Sequence, residues 1–212
     1  MSKFYNFALV VVRPIMHLCF SIHAEGKENI PQQGGYLFVS NHRSNADPVL
    51  IPLLVPKQQF CFIAKQELFK NKLLEKIITA LGAIAIDRGS GDLSPLDELT
   101  MRLKQGKNGL IFPEGTRSKD GKLGKFKSGA AYIVAQAGAD VVPVSVQYEG
   151  KLHFRSRITV TYGKPLHLVD APLTEPNPRD LRRIRTEMHS AVAALLPLEE
   201  EQAAIPEKTS EV

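Results

Sequence analysis

The sequence predicts an α/β fold: a mostly parallel mixed sheet flanked by helices and preceded by an N-terminal membrane-interface helical segment. Two observations predict this class. Short apolar runs of strand length alternate with segments of helical periodicity from residue 36 onward. The 212 residues, 43% of them hydrophobic, are also enough for one domain with a substantial core. We expect the α/β domain to span residues 26–197.

Residues 1–25 form the predicted membrane-associating segment. The segment is apolar, but Arg13 and Pro14 interrupt it, and a spanning helix needs roughly 20 mostly apolar residues. A helix lying in the membrane interface fits this pattern better, and an ordinary helix packed on the domain is the alternative. The expected lipid contacts are Phe4, Phe7, Val11 and Phe20. This interpretation predicts a peripheral or monotopic protein on the cytoplasmic face of the cell membrane.

The elements of the domain follow in chain order. Strands are predicted at residues 36–40, 60–64, 83–87, 109–112, 141–146 and 158–162. Helices are predicted at residues 66–81, 94–106, 128–136 and 180–196. Ser94 and Pro95 are typical of a helix start, and Gly138 of a helix end. Residues 198–212 are rich in glutamate and are predicted to form an acidic flexible tail.

A histidine and an aspartate five residues apart follow the first predicted strand. His42 is the candidate general base, because a histidine ring exchanges protons near neutral pH. Asp47 would bond the other ring nitrogen and stabilise the imidazolium. The alternative is that His42 caps a helix and Asp47 pairs with a surface cation. This spacing is common by chance, so it predicts catalysis only together with a second block.

That second block is Phe-Pro-Glu-Gly-Thr-Arg-Ser at residues 112–118, directly after the fourth predicted strand. Gly115 would let the backbone approach a ligand closely, and the planar guanidinium of Arg117 suits a phosphate. Glu114 would order Arg117 and Arg88, or it would order the glycerol of a substrate that carries the phosphate. A structural ion pair between Glu114 and a neighbouring arginine is the alternative.

Three more cations are candidates for binding an anionic substrate. Arg88 follows the third predicted strand, and its alternative is a surface salt bridge with a nearby aspartate. Lys125 and Lys127 precede a predicted helix, where anions are favoured; a solvated loop is the alternative. Ligands of such sheets bind at the carboxyl ends of strands, so the blocks at residues 41–47, 87–88 and 114–117 should meet at one edge.

Composition narrows the class of partner. The net charge is +5 and the pI about 9.2, which favours an anionic partner such as an acidic membrane surface or a phosphorylated substrate. Aromatic residues are 7% and no nucleic-acid-binding motif is present, so we expect no nucleic acid partner. The two cysteines, Cys19 and Cys61, have no metal-ligand spacing, and no metal site is predicted.

A base held by an acid and facing an anion-binding loop is suited to moving an acyl group onto the hydroxyl of a phosphorylated acceptor. The sequence contains no Gly-x-Ser-x-Gly elbow, and no serine or cysteine sits in a comparable context. Direct attack of the acceptor hydroxyl on a thioester is therefore favoured over a covalent acyl-enzyme, with both substrates held in line.

Four ordered blocks resemble those of the glycerolipid acyltransferases, and in particular the lysophosphatidate acyltransferases. They are Asn41-His42 with Asp47, residues 82–88, residues 112–117 and Val142-Pro143-Val144. The resemblance implies a 1-acylglycerol-3-phosphate O-acyltransferase that makes phosphatidic acid from lysophosphatidic acid. It implies no cofactor, and it leaves acyl-CoA and acyl-acyl carrier protein open as donors.

The resemblance also assigns roles by position. It makes His42 and Asp47 the catalytic pair and ties Arg88 to the acceptor phosphate. It assigns acceptor binding to Glu114, Gly115, Thr116 and Arg117. Three alternatives remain: an acyltransferase for another lysolipid, a non-catalytic acidic-lipid binding module, and a metal-dependent phosphoesterase. The last is disfavoured because no further ligand cluster accompanies the pair.

Overall fold

A single sheet organises the molecule. The computed structural model describes residues 3–55, 57–87, 91–118, 120–150 and 153–197. Within them the helices are α1 (Lys3–Cys19), α2 (Asp47–Leu53), α3 (Lys72–Ala80), α4 (Ser94–Lys104), α5 (Ser128–Ala137) and α6 (Pro178–Ala193). The strands are β1 (Ser21–Glu25), β2 (Leu37–Ser40), β3 (Phe60–Lys65), β4 (Ala83–Ile86), β5 (Asn108–Ile111), β6 (Val141–Tyr148) and β7 (Arg157–Tyr162). The predicted acidic tail lies outside the described residues.

The strand order of the sheet is β1-β7-β6-β2-β5-β3-β4. The five strands β2 to β6 run parallel to one another, β7 is antiparallel to β6, and β1 is parallel to β7. The predicted fold class, a mostly parallel mixed sheet with flanking helices and an N-terminal helix, is therefore confirmed. The carboxyl ends of β6, β2 and β5 are neighbours at one edge.

Two hydrophobic clusters cover the two faces of the sheet. Alternate residues of β2 divide between them, because successive side chains of a strand point to opposite faces. Leu37 and Val39 pack with α4, α5 and α6, whereas Phe38 packs with α2 and Phe60. All four residues of β2 are buried, as expected for a central parallel strand covered on both faces.

Three local features differ from the sequence prediction. The predicted helix 66–81 is divided into a 3-10 turn at Gln66–Phe69 and the helix α3. Asn71 causes the division, because its side chain accepts hydrogen bonds from the amides of Leu73 and Leu74 and so caps a new helix start. The short helix α2 was not predicted, and neither was β1, which lies inside the segment predicted to be helical.

The helix α1 is continuous through Pro14, so Arg13 and Pro14 interrupt the apolar run of the segment and not the helix itself. Its attachments to the domain include two side-chain hydrogen bonds. Tyr5 is buried and its hydroxyl accepts a hydrogen bond of 3.3 Å from the amide of Phe60. Arg13 donates a hydrogen bond of 2.8 Å to the carbonyl of Leu53, at the end of α2. Among the described residues, no helix has the length and apolarity needed to cross a membrane.

Candidate functional site

The predicted acid–base pair is formed in the structure. Nδ1 of His42 lies 2.8 Å from Oδ2 of Asp47. His42 follows the end of β2, and Asp47 is the first residue of α2. The aspartate is completely buried, whereas the imidazole keeps about 14% of its side-chain surface exposed. Within the described part of the chain, Nε2 of His42 has no protein partner and remains available to a substrate.

Four donors surround the buried carboxylate of Asp47. Oδ2 accepts hydrogen bonds from the amides of Arg43 at 2.7 Å and Ser44 at 2.8 Å, in addition to the bond with His42. Oδ1 accepts a hydrogen bond from the hydroxyl of Tyr148, the last residue of β6. A buried carboxylate requires hydrogen-bond donors for its oxygens, and these four donors also fix the orientation of both oxygens.

Tyr148 is a site residue that the sequence analysis missed. It lies 101 residues from Asp47 in the chain, so no local motif connects them. Burial, together with the Asp47 carboxylate, raises the pKa of the Tyr148 hydroxyl far above its usual range, so the hydroxyl stays a donor. The position of Tyr148 at the carboxyl end of a strand next to β2 was the signal that could have found it.

Glu114 connects the two sequence blocks. Its Oε1 accepts a hydrogen bond of 2.8 Å from the amide of His42, and its Oε2 accepts one of 3.0 Å from the amide of Gly124. The side chain is buried, and burial raises the pKa of its carboxyl group against the opposing effect of these two bonds. The sequence analysis expected Glu114 to order arginines or the acceptor. In the structure its two oxygens instead accept hydrogen bonds from backbone amides.

Further contacts fix the backbone around the histidine. The carbonyl of His42 accepts a hydrogen bond of 2.8 Å from the amide of Ser118, and the ring of Phe112 stacks on the imidazole at 4.2 Å. The side chain of Asn41 bonds both the amide and the carbonyl of Val146 in β6. The two blocks are therefore joined by hydrogen bonds and a ring contact at the carboxyl ends of three neighbouring strands.

The loop after β5 carries the predicted acceptor-binding residues. Gly115 has a φ of 74°, a conformation that favours glycine, and the Lys127 side chain lies across it. Thr116, Arg117 and Lys125 are exposed on the same loop region. Among the described residues, the guanidinium of Arg117 has neither an ion pair nor a hydrogen bond. It is thus free to meet an anion.

A polar cleft of about 280 Å³ opens beside the carboxylate of Glu114. It is lined by Glu114, Thr116, Ser118, Asp120, Lys122, Leu123, Gly124 and Lys125. The imidazole of His42 is not part of its wall. The cleft therefore suits a polar group of a ligand bound beside Glu114.

Arg43 supplies a positive charge that the sequence analysis did not single out. Its guanidinium carbon lies 5.8 Å from the ring centroid of Tyr148, and its terminal nitrogen lies against Gly121. It therefore lies between the His42–Asp47 pair and the loop that carries the cleft. Arg88, which was predicted to bind the acceptor phosphate, lies outside the described residues, so its role stays a prediction.

The described residues contain no group of three or more histidine, cysteine, aspartate or glutamate side chains that could hold a metal ion. The arrangement instead combines a hydrogen-bonded imidazole with one free nitrogen and a neighbouring loop with exposed cations. Chemically, it can remove a proton from a hydroxyl and bind an anion near that hydroxyl.

Comparison with known proteins places the chain among named relatives. A family model described as Acyltransferase matches residues 21–147. The 1-acyl-sn-glycerol-3-phosphate acyltransferase LPAT1, chloroplastic, of Arabidopsis thaliana is 34% identical over 154 residues, which are 71% of this chain and 43% of that protein. The chain thus spans less than half the length of this plant relative.

A bacterial relative matches over more of its own length. The 1-acyl-sn-glycerol-3-phosphate acyltransferase of Bacillus subtilis (strain 168) is 28% identical over 169 residues, which are 78% of this chain and 84% of that protein. The crystal structure of the 1-acyl-sn-glycerophosphate (LPA) acyltransferase PlsC from Thermotoga maritima superimposes with a TM-score of 0.67 at 29% identity. It covers 97% of this chain and 79% of that one.

Proposed function

The chain belongs to the Acyltransferase family, as its motifs indicated, and on that premise we propose that it is a 1-acylglycerol-3-phosphate O-acyltransferase. It would move a fatty acyl group from a thioester to the free hydroxyl of lysophosphatidic acid and release phosphatidic acid. The relatives named for this reaction in Arabidopsis thaliana and Bacillus subtilis support the proposal.

The observation that carries the proposal is the His42–Asp47 pair with its free Nε2. In the proposed reaction, Nε2 takes the proton of the acceptor hydroxyl while the hydroxyl oxygen attacks the thioester carbonyl. The tetrahedral intermediate then collapses, the carbon–sulfur bond breaks, and the imidazolium returns the proton to the leaving thiolate. The Asp47 carboxylate stabilises the imidazolium between these two steps. No acyl-enzyme is formed.

The acceptor phosphate would bind on the loop after β5. Arg117 offers two parallel donors to a phosphate. The Lys127 side chain lies over Gly115, which precedes Arg117 by two residues. Thr116 and Lys125 line the polar cleft beside Glu114 and would contact the glycerol phosphate. Glu114 would act indirectly, since it connects this loop to the amide of His42. Arg88 is proposed as a further phosphate contact.

We propose membrane attachment through α1, which gives the site access to a lipid acceptor in one leaflet. Six apolar side chains of this helix are exposed: Phe4, Phe7, Val10, Val11, Ile15 and Leu18. Such a stripe is typical of a helix lying in the membrane interface. The predicted location is the cytoplasmic face of the cell membrane. Acyl-CoA and acyl-acyl carrier protein are the two donors to compare.

The test is the activity of His42→Ala with radiolabelled lysophosphatidic acid and each thioester donor, the products being separated by thin-layer chromatography. Loss of a positioned general base should lower turnover by about 100- to 10,000-fold. His167→Ala is the matched control, because His167 also pairs with an aspartate, Asp140 at 2.7 Å, but is exposed and outside the site. Turnover of His42→Ala above about a tenth of the parent value would contradict the assignment of the base.

A panel of acceptors tests the alternative lysolipid substrates. If another head group were acylated faster than lysophosphatidic acid, the reaction type would stand and the acceptor would change. If neither donor gave a product with any lysolipid, the non-catalytic lipid-binding module would replace the enzyme.

A further inference from the structure

The helix α3 has an unusual surface. None of its residues is buried, although Leu73, Leu74, Ile77 and Ile78 occupy one side of it at helical spacing. Leu73 is 70% exposed and Ile77 is 38% exposed. In the preceding 3-10 turn, Leu68 is 46% exposed. An amphipathic helix of a soluble protein normally buries this side against its own core, so the side faces a partner that the described residues do not supply.

The charges around this apolar side are mainly positive. Residues 65–76 contain four lysines, Lys65, Lys70, Lys72 and Lys76, and two glutamates, Glu67 and Glu75. All four lysines are exposed. Lysines flanking an apolar stripe can bury their carbon chains while their ammonium groups reach phosphates. This combination is typical of a helix that lies in the surface of an anionic membrane.

The topology places α3 on the same sheet face as α1. The crossover from β3 to β4 through α3 and the crossover from β4 to β5 through α4 advance across the sheet in opposite directions. Because crossovers between parallel strands are right-handed, α3 and α4 lie on opposite faces. The face opposite α4 is the one that α1 and α2 cover.

The start of β3 lies close to α1 and to the residue that follows α3. Phe60 bonds the hydroxyl of Tyr5 in α1 through its amide. Gly82, which follows α3, packs on the carbonyl of the same Phe60, since an added Cβ there would lie 2.3 Å from that oxygen. The 3-10 turn and the start of α3 follow the carboxyl end of β3, which is the sheet edge that carries the catalytic pair.

From these observations we infer that the segment Gln66–Ala80 is a second membrane-contact element, which binds an anionic bilayer surface together with α1. Two contacts on one face determine how the domain is oriented on the membrane, which a single helix does not. The inference rests on the proposed function only for its purpose, which is to direct the catalytic edge toward a lipid acceptor.

The experiment is flotation of the full-length protein with vesicles of phosphatidylcholine alone and of phosphatidylcholine with phosphatidylglycerol. Leu73→Gln combined with Ile77→Gln should lower partitioning into both kinds of vesicle by about tenfold or more, because apolar area is lost. Lys72→Ala combined with Lys76→Ala should weaken binding to the anionic vesicles alone. Met101→Gln is the matched control, because Met101 is 51% exposed on α4, on the opposite face.

Activity on detergent-dispersed lysophosphatidic acid separates this inference from the proposed function. All these variants should retain it, since they lie outside the catalytic pair and the acceptor loop. Unchanged vesicle binding of the Leu73 and Ile77 variant, or an equal loss for Met101→Gln, would overturn the inference whatever the activity. If the lysine variant bound vesicles normally but responded less to acyl carrier protein, the surface would be a protein-docking site and the membrane assignment would be wrong.

Discussion

Asp47→Asn is the substitution whose outcome the structure defines most closely. An asparagine at this position has two orientations. Its amide oxygen must occupy the place of Oδ2, because two backbone amides, those of Arg43 and Ser44, donate to that place. Its NH₂ group then faces the hydroxyl of Tyr148, which rotates to accept the hydrogen bond. The oxygen therefore still meets Nδ1–H of His42, and the tautomer with a free Nε2 is kept.

What Asp47→Asn loses is the charge opposite the imidazolium. A hydrogen bond to a charged partner contributes about 1.5–3 kcal/mol and a neutral one about 0.5–1.5 kcal/mol, so the loss is about 1–2 kcal/mol. That corresponds to a decrease in kcat of about 5- to 30-fold. An asparagine that presented its NH₂ group to the ring would instead force the wrong tautomer and cost about 10,000-fold.

The assay compares kcat of the parent, Asp47→Asn and His42→Ala with radiolabelled lysophosphatidic acid at saturating thioester. We expect the kcat of Asp47→Asn to lie between those of the other two, with the melting temperature changed by only a few degrees, since the two backbone amides and the ring N–H keep their acceptor. A kcat as low as that of His42→Ala would refute the argument that the backbone amides orient the amide group. A kcat equal to that of the parent would refute the role of the carboxylate charge.

Three further predictions concern the surroundings of this pair. Tyr148→Phe removes one donor to Asp47 and should lower kcat by about 2- to 10-fold while the KM for both substrates stays nearly constant; a change confined to KM would point to substrate contact instead. Arg117→Lys keeps the charge but loses the planar fork, so KM for the acceptor should rise and that for the donor should not; equal effects on both would count against phosphate binding. Phe7→Gln combined with Leu18→Gln, at side chains that are 64% and 66% exposed, should reduce vesicle binding in low and in high salt alike. High salt by itself should weaken the vesicle binding of the unsubstituted protein without abolishing it. Binding that disappeared in high salt would show that α1 contributes no apolar contact.

Point substitutions on α1 are preferable to deletion of the segment. Deletion of residues 1–22 would also remove Tyr5 from the core and the first residues of β1, so it would test stability together with membrane binding. The exposed stripe can be changed without these losses.

The sequence by itself determined the fold class and the meeting of the two motifs. Both results follow from local patterns: strand-length apolar runs alternate with helical ones, and His42 and Glu114 each come directly after such a run. Parallel strands end at a common edge, so residues that follow them are brought together whatever the remaining details are. The pairing of His42 with Asp47 was predictable because it is local: a chain of five residues can turn back so that the two side chains meet.

Only the tertiary structure decided what surrounds these residues. The bond from Tyr148 to Asp47 depends on the register between β6 and β2, which joins residues 101 positions apart. The two oxygens of Glu114 are directed to backbone amides by the fold of the loop at Gly124. Local propensity is encoded in neighbouring residues, whereas hydrogen-bond partners of buried groups are set by how distant elements pack, and a single sequence does not display that packing.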